Sequence, residues 1–333
     1  MKTKAFYSAR YLAMLSLAAF LSIGFIACNN EDEQGEEVPT PTNKLDGFTV
    51  NDSGLRVLFA PGNLQATYDG SSWMWGFAAN QWDYIGGYDG NSPYHNYTGN
   101  NYINGIGTMS KNGIVDLFGW VGASCEWTGV AMYGISNSTQ EGYNRYGNKP
   151  KESLKSDWGN VFTNSSIVWR TLTNDEWKYV FYSRKASSVN GTANARFVMA
   201  IVVGKVGVIL FPDNYVHPDC VMPPANINKN SPAYKDNSSY NVSNWRNSYN
   251  ASDWSQMETA GCVFLPAAGS RIGSNVYDYA DLPEGGYWSS TPNPGSVGTW
   301  GAYLVSFGHS ALYVSNYSPR CHGHSVRLVR QAE

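Results

Sequence analysis

The sequence predicts an α+β fold, rich in loops, built mostly of antiparallel strands with a few short helices. Apolar residues come in short runs of strand length, each bounded by Gly, Pro, Asn or Asp, the pattern of strands joined by turns. Helix-start chemistry is clear in two places. The 34 glycines, with frequent Asn, supply the tight-turn positions that many short elements need.

Along the chain, residues 55–59 (Leu-Arg-Val-Leu-Phe) read as a strand that stops at the turn signal Ala60-Pro61-Gly62-Asn63. Trp73, Trp75 and Phe77, then Trp82 and Tyr84, recur at two-residue spacing, a hairpin pattern whose rings are expected in the core rather than on a sugar-stacking surface. Thr173-Asn174-Asp175-Glu176 is a capping box, because the Thr hydroxyl and the Glu carboxylate each satisfy a backbone N–H that the first helical turn leaves unpaired. Leu172 and Trp177 stand at the staple positions. Trp177, Val180 and Phe181 form one apolar face, with Lys178, Arg184 and Lys185 toward water, so the helix is expected to run to about Lys185. Residues 197–203 and 206–211 read as a hairpin of buried strands joined at Gly204-Lys205, and 225–250 as a long surface loop. A second short helix is expected from Ser252 to Gly261 with Trp254 and Met257 inward. Strands close the chain at 261–266, 286–290, 302–307, 311–315 and 325–330.

The N-terminal region is different in kind. Lys2, Lys4 and Arg10 precede an uncharged apolar run of 17 residues, Tyr11 to Ala27, which is the layout of a secretory signal. The run ends in Phe25-Ile26-Ala27-Cys28, which resembles a lipobox. Residues 1–27 are therefore expected to be a lipoprotein signal peptide, with Cys28 as the lipidated first residue. Residues 28–46 are acidic and then Pro/Thr-rich, cannot bury a core, and read as a tether. The expected place is the outer membrane, exposed at the cell surface, with the membrane reached through the lipid on Cys28.

Residues 47–333 show neither a second linker nor an internal repeat and read as one domain. Without the signal's three positive charges the formal net charge moves from −3 to −6, and five acidic residues at 31–37 account for most of it. A near-neutral domain from a chain with only 15% charged residues lacks the basic face that nucleic acid demands, so no nucleic-acid partner is expected. Cys125, Cys220, Cys262 and Cys321 are far apart, without a CxxC pair, so every disulfide pairing among them stays open. Three of the five histidines crowd the C-terminus, but no carboxylate or thiol pair stands at ligand spacing with them, so neither metal nor cofactor is expected.

Several segments together resemble the major paralogous (FISUMP-type) domain of surface lipoproteins. They are Val57-Leu58-Phe59-Ala60-Pro61-Gly62-Asn63-Leu64-Gln65, Val115-Asp116-Leu117-Phe118-Gly119-Trp120, Trp169-Arg170-Thr171-Leu172-Thr173, Phe264-Leu265-Pro266-Ala267-Ala268-Gly269-Ser270-Arg271, Tyr287-Trp288-Ser289-Ser290-Thr291 and Ser325-Val326-Arg327-Leu328-Val329-Arg330. The resemblance implies a C-type-lectin-like fold of the formylglycine-generating-enzyme branch. Arg170, Thr173, Glu176, Trp177 and Tyr179 match that enzyme family's helix start in register; they seat a helix, and so imply a fold rather than an activity. Those enzymes bring two cysteines together near the C-terminus to hold copper, and only Cys321 lies in that stretch here. A non-catalytic protein is expected, with a formylglycine-generating-type oxidase as the alternative if Cys262 approaches Cys321, and a structural envelope or adhesin-tip component as a third reading. The sugar-binding calcium motif of typical C-type lectins has only a weak echo, in Pro212-Asp213-Asn214.

From Tyr287 to Arg330 the chain resembles the variable region of diversity-generating-retroelement target proteins. Adenine mutagenesis does not readily yield Lys, Glu, Gln, Met or Trp, and 301–324 contain none of these. Strand alternation independently puts Tyr303, Val305 and Phe307 inward with Leu304 and Ser306 outward, and Leu312 and Val314 inward with Tyr313 and Ser315 outward. The expected ligand-binding set is Trp300, Leu304, Ser306, His309, Tyr313, Ser315, Tyr317, His322 and His324, a mixture that gives rigid aromatic contact with adaptable hydrogen bonds. Its ligand is expected to be a protein or a glycan.

Overall fold

A computed structural model describes residues 47–85, 103, 105, 107, 113–120, 133–137, 157–162, 165–230, 247–273, 275–277, 283–293, 301–308 and 311–333. The expected signal peptide and tether, Cys28, Cys125, Trp300, His309 and most of the 225–250 loop lie outside them. The described residues are mostly antiparallel strands with short helices between, a loop-rich α+β arrangement. None of their helices is long and apolar enough to cross a membrane.

The two ends of the described chain meet in one sheet. β1 (Phe48–Thr49) and β2 (Arg56–Phe59) pair, and the last strand, β16 (Leu328–Gln331), inserts between β2 and β6 (Trp169–Thr171) in the order β1-β2-β16-β6. Val329 thereby faces Phe59 on one side and Arg170 on the other. A second sheet, β4-β3-β5, joins β3 (Leu64–Tyr68) to β4 (Trp73–Phe77) and to β5 (Gly113–Val115). Trp73, Trp75 and Phe77 of β4 are half-buried against the cluster around Leu64, Phe118, Trp120 and Trp158, as expected of core rings.

The hairpin of β7 (Phe197–Val202) and β8 (Lys205–Leu210) lies between β9 (Ser248–Tyr249) and β10 (Val263–Pro266). Its turn is Val203-Gly204, one residue earlier than expected, with φ of 48° and 75° at the two positions. Two successive positive φ values make the tight turn whose twist suits a hairpin, and Gly204 meets that need freely. Alternate side chains feed two cores: Phe197, Met199, Val206, Val208 and Leu210 enter one cluster, and Val198, Ala200, Val202 and Ile209 another, with Trp254 and Met257 of the Ala251–Thr259 helix. That helix is capped by Asn250 and Asp253 in a capping box, and its inward residues are those the sequence picks out.

The capping box at Thr173 is present as read: Glu176 N–H donates to Thr173 Oγ1, and Thr173 N–H donates back to Glu176. Glu176 also takes a two-pronged bond from Arg170, 2.7 Å on each arm. The α-helix is shorter than expected, Asn174–Lys178, and continues as a π-helical turn, Tyr179–Ser183. Arg184 is the correction. It is fully buried rather than turned to water, with Nε donating to Val180 O, Nη1 to Asp213 Oδ1 at 2.8 Å, and Nη2 to the carbonyls of Arg196 and Phe211. Burial pulls its pKa down to about 10 against the opposing pull of Asp213, which leaves it charged. Asp213, whose other oxygen accepts from Thr49 N–H and Oγ1–H, is thereby committed to structure rather than to a calcium motif.

Candidate functional site

Three long strands at the C-terminus carry the expected binding residues: β13 (Glu284–Pro292), β14 (Gly301–Gly308) and β15 (Leu312–Pro319). β14 is the middle strand. One face packs Tyr287, Val305, Phe307, Leu312 and Val314 into the largest core cluster, as alternation predicts for the last four. Residues directly opposite across antiparallel strands share a face, so the register groups Gly286 with Ser306 and Tyr313, and Trp288 with Leu304 and Asn316, on the other side.

On this second face the register slips: between Leu304 and Ser306 β14 spends two steps, while β15 spends three from Asn316 to Tyr313. The extra residue is a β-bulge on β15, and it brings Asn316 onto the face that strict alternation would give to Ser315. Ser315 is exposed but turns to the first helix, its Oγ donating to Asn174 Oδ1 at 3.2 Å.

The Trp288–Leu304 row is sealed. Leu304 is 2% exposed and packs with Trp288 and Ala302 in the neighbouring core cluster, so it is not an outward ligand contact. Alternation misassigns it because β14 has a core on each face, and a sheet covered on both sides loses its polar stripe. Beyond that row Gly286, Ser306 and Gly308 are small, and a cavity of about 250 Å³ opens over them. Leu304 and His324 line its floor; Glu284, Tyr313, Asn316 and Tyr317 line its sides. Tyr313 and Tyr317 are the exposed rings, at 59% and 64%. Asn316 is held by its own bonds, Nδ2 donating to Ser306 Oγ at 2.8 Å and Oδ1 accepting from Tyr317 N–H.

His324 is the second correction: it is buried, not at an outward turn. Its Nε2 lies 2.9 Å from Ser318 Oγ, which lies 3.2 Å from Nδ1 of the half-buried His322. Trp288 presents its ring edge-on to the imidazole at 4.8 Å between centroids. His324 Nδ1 has no hydrogen-bond partner, and a Cβ on Gly286 would fall 2.4 Å from it, so only glycine fits there. The serine has one proton to give, which fixes two choices for the chain of bonds. Either His324 Nε2–H donates to Ser318, which donates to His322, or the order reverses and leaves His324 Nδ1–H as a buried donor without an acceptor. Orphaned buried N–H groups are the rarer kind, which assigns the first order and a lone pair to Nδ1.

Ser318 and His324 have the spacing of a nucleophile and its base. Desolvation, then His322 and Arg271, lower the His324 pKa to about 3, and nothing orients its Nδ1, so it is a weak proton acceptor. Among the described residues no group of three His, Cys, Asp or Glu could hold a metal.

Of the expected set, Ser306, Tyr313 and Tyr317 come together at the pocket, with Leu304 and His324 beneath them. His322 reaches it only through Ser318, and Ser315 points elsewhere. Sequence reasoning misses Glu284, Gly286 and Asn316. The Gly285-Gly286 pair at the start of a strand pattern was the available signal for a place where something approaches closely; the bulge that recruits Asn316 leaves no such mark.

No family model, no curated protein and no solved structure matches this chain.

Proposed function

We propose that this protein is a non-catalytic, ligand-binding lipoprotein of adhesin or receptor type, using the second face of β13–β15 as its binding site on a C-type-lectin-like scaffold. The observation that carries the reading is the pairing of two largely exposed tyrosines with a polar pocket on a sheet whose other face packs Val305, Phe307, Leu312 and Val314 into the core. Rigid aromatic side chains over a fixed backbone give contact area at low entropic cost. The meeting of the first and last strands in one sheet is consistent with the lectin-like scaffold. The ligand is a protein or a glycan, no cofactor is invoked, and sequence diversification of 301–324 would act on the strands that hold Tyr313 and Tyr317.

An oxidase with Cys262 and Cys321 as copper ligands has less support. Both are buried free thiols, and burial pushes the Cys262 thiol far up, away from the thiolate that a metal requires. In this reading Cys28 carries the lipid that holds the protein in the outer membrane. Labelled palmitate should be lost from the Cys28→Ala protein; label retained there would remove the anchor. The binding claim is tested by probing glycan and protein arrays with the full chain in detergent, beside the Tyr313→Ala/Tyr317→Ala/His322→Ala triple variant. Ligands held by the wild type should be lost by the variant, and equal binding by both would remove the site.

A further inference from the structure

The pocket has a chemical bias beyond its shape. Among the described residues lining it Glu284 is the one charged group; it is exposed, and none of the described ion pairs uses it. One of the two amide N–H donors of Asn316 is already spent on Ser306. Beneath it His324 keeps Nδ1 buried against Gly286 and offers no donor to the cavity there. The nearby cation, Arg271, is turned away, its guanidinium donating to the carbonyls of Leu117, Ser136 and Gly273. What remains to line the cavity with accessible polar or aromatic groups is the Glu284 carboxylate and two exposed tyrosines.

Resting on the binding-site reading above, we infer that the pocket takes an ammonium group on a slim aliphatic stem, the end of a lysine side chain of a protein partner. An ammonium has three N–H donors and no acceptor, the complement of a site whose one charged group is an exposed carboxylate. Its charge is favoured by the carboxylate and by the electron-rich ring of Tyr313, which lines the same cavity. The stem suits a cavity of about 250 Å³ floored by Leu304. A guanidinium is broader and planar, and an anionic group would meet Glu284 with no cation to receive it.

The test uses the full chain in detergent, titrated with Nα-acetyl-lysine methylamide, with the same compound acetylated on Nε, and with a neutral methyl hexoside. The free amine should bind about tenfold more tightly than its acetylated form, since acetylation removes the charge and the cation–π contact. Glu284→Gln, at an exposed position, should erase that difference without moving the melting temperature, and added salt should weaken the free amine alone. Equal affinity for amine and acetylated amine, or no binding of the amine, overturns the inference. Binding of the hexoside in place of the amine, lost in the Tyr313→Ala/Tyr317→Ala protein, would overturn the ammonium while leaving the face as a binding site. Hexoside binding that survives those changes would remove the face as well.

Discussion

His324 shows at the scale of one residue how burial becomes behaviour. Its pKa is lowered to about 3 by desolvation and then by His322 and Arg271. The unfolded chain regains the ordinary value near 6.5 and takes up the proton first as pH falls. Stability is therefore intact above about pH 6.5 and lost progressively toward pH 3, with about 2 kcal/mol gone by pH 5. His322, shifted the same way by burial, adds to the same slope. Urea titrations of wild type and His324→Phe at about pH 7.5 and about pH 5 should show a smaller acid loss in the variant; equal losses would mean that His324 is protonated in the folded protein. The burial of His324 was not legible in the sequence, where Cys321-His322-Gly323-His324 carries no strand or helix period. Arg184 departs from its sequence pattern for a related reason. A cation at the end of an amphipathic helix ordinarily faces water, and only the distant acceptors Asp213, Arg196 and Phe211 reverse that.

Elements were read best where the signal is local. The Thr173 box, the Trp254 and Met257 positions and the Leu312/Val314 alternation are fixed by neighbours three or four residues away or by a two-residue period, and the structure has all of them. Thr173→Ala should cost roughly 1 kcal/mol through the lost cap. Trp177→Ala should cost roughly 3 to 5 kcal/mol, because its indole is fully buried against Phe59 and Phe181. A denaturant titration showing equal, small losses would contradict the packing of this helix. Features set by long-range pairing were not legible. The bulge on β15 exists only relative to β14, and the doubly buried status of β14 exists only because two separate clusters close on it. Those two facts decide which tail residues meet a ligand, so the sequence located the region of the site better than its membership.

For the whole molecule the central claim is that one sheet divides its work between its faces. Val305, Phe307, Leu312 and Val314 carry folding on the first face. Tyr313 on the second face, and Tyr317, which lines the same pocket although its register partner is Tyr303, fold against little and carry binding, since a few aromatic anchors ordinarily supply most of an interface's energy. Every described residue belongs to one compact unit, Lys44–Glu333. The most direct measurement sets the melting temperature of the Tyr313→Ala/Tyr317→Ala/His322→Ala protein, and its affinity for whatever the arrays yield, beside those of Phe307→Ala. The triple variant should lose binding with only the small loss of stability that the half-buried His322 and its bond to Ser318 carry, while Phe307→Ala should lose roughly 3 to 5 kcal/mol of stability. A triple variant that unfolds while Phe307→Ala stays intact would contradict the assignment of faces, and the proposed site with it.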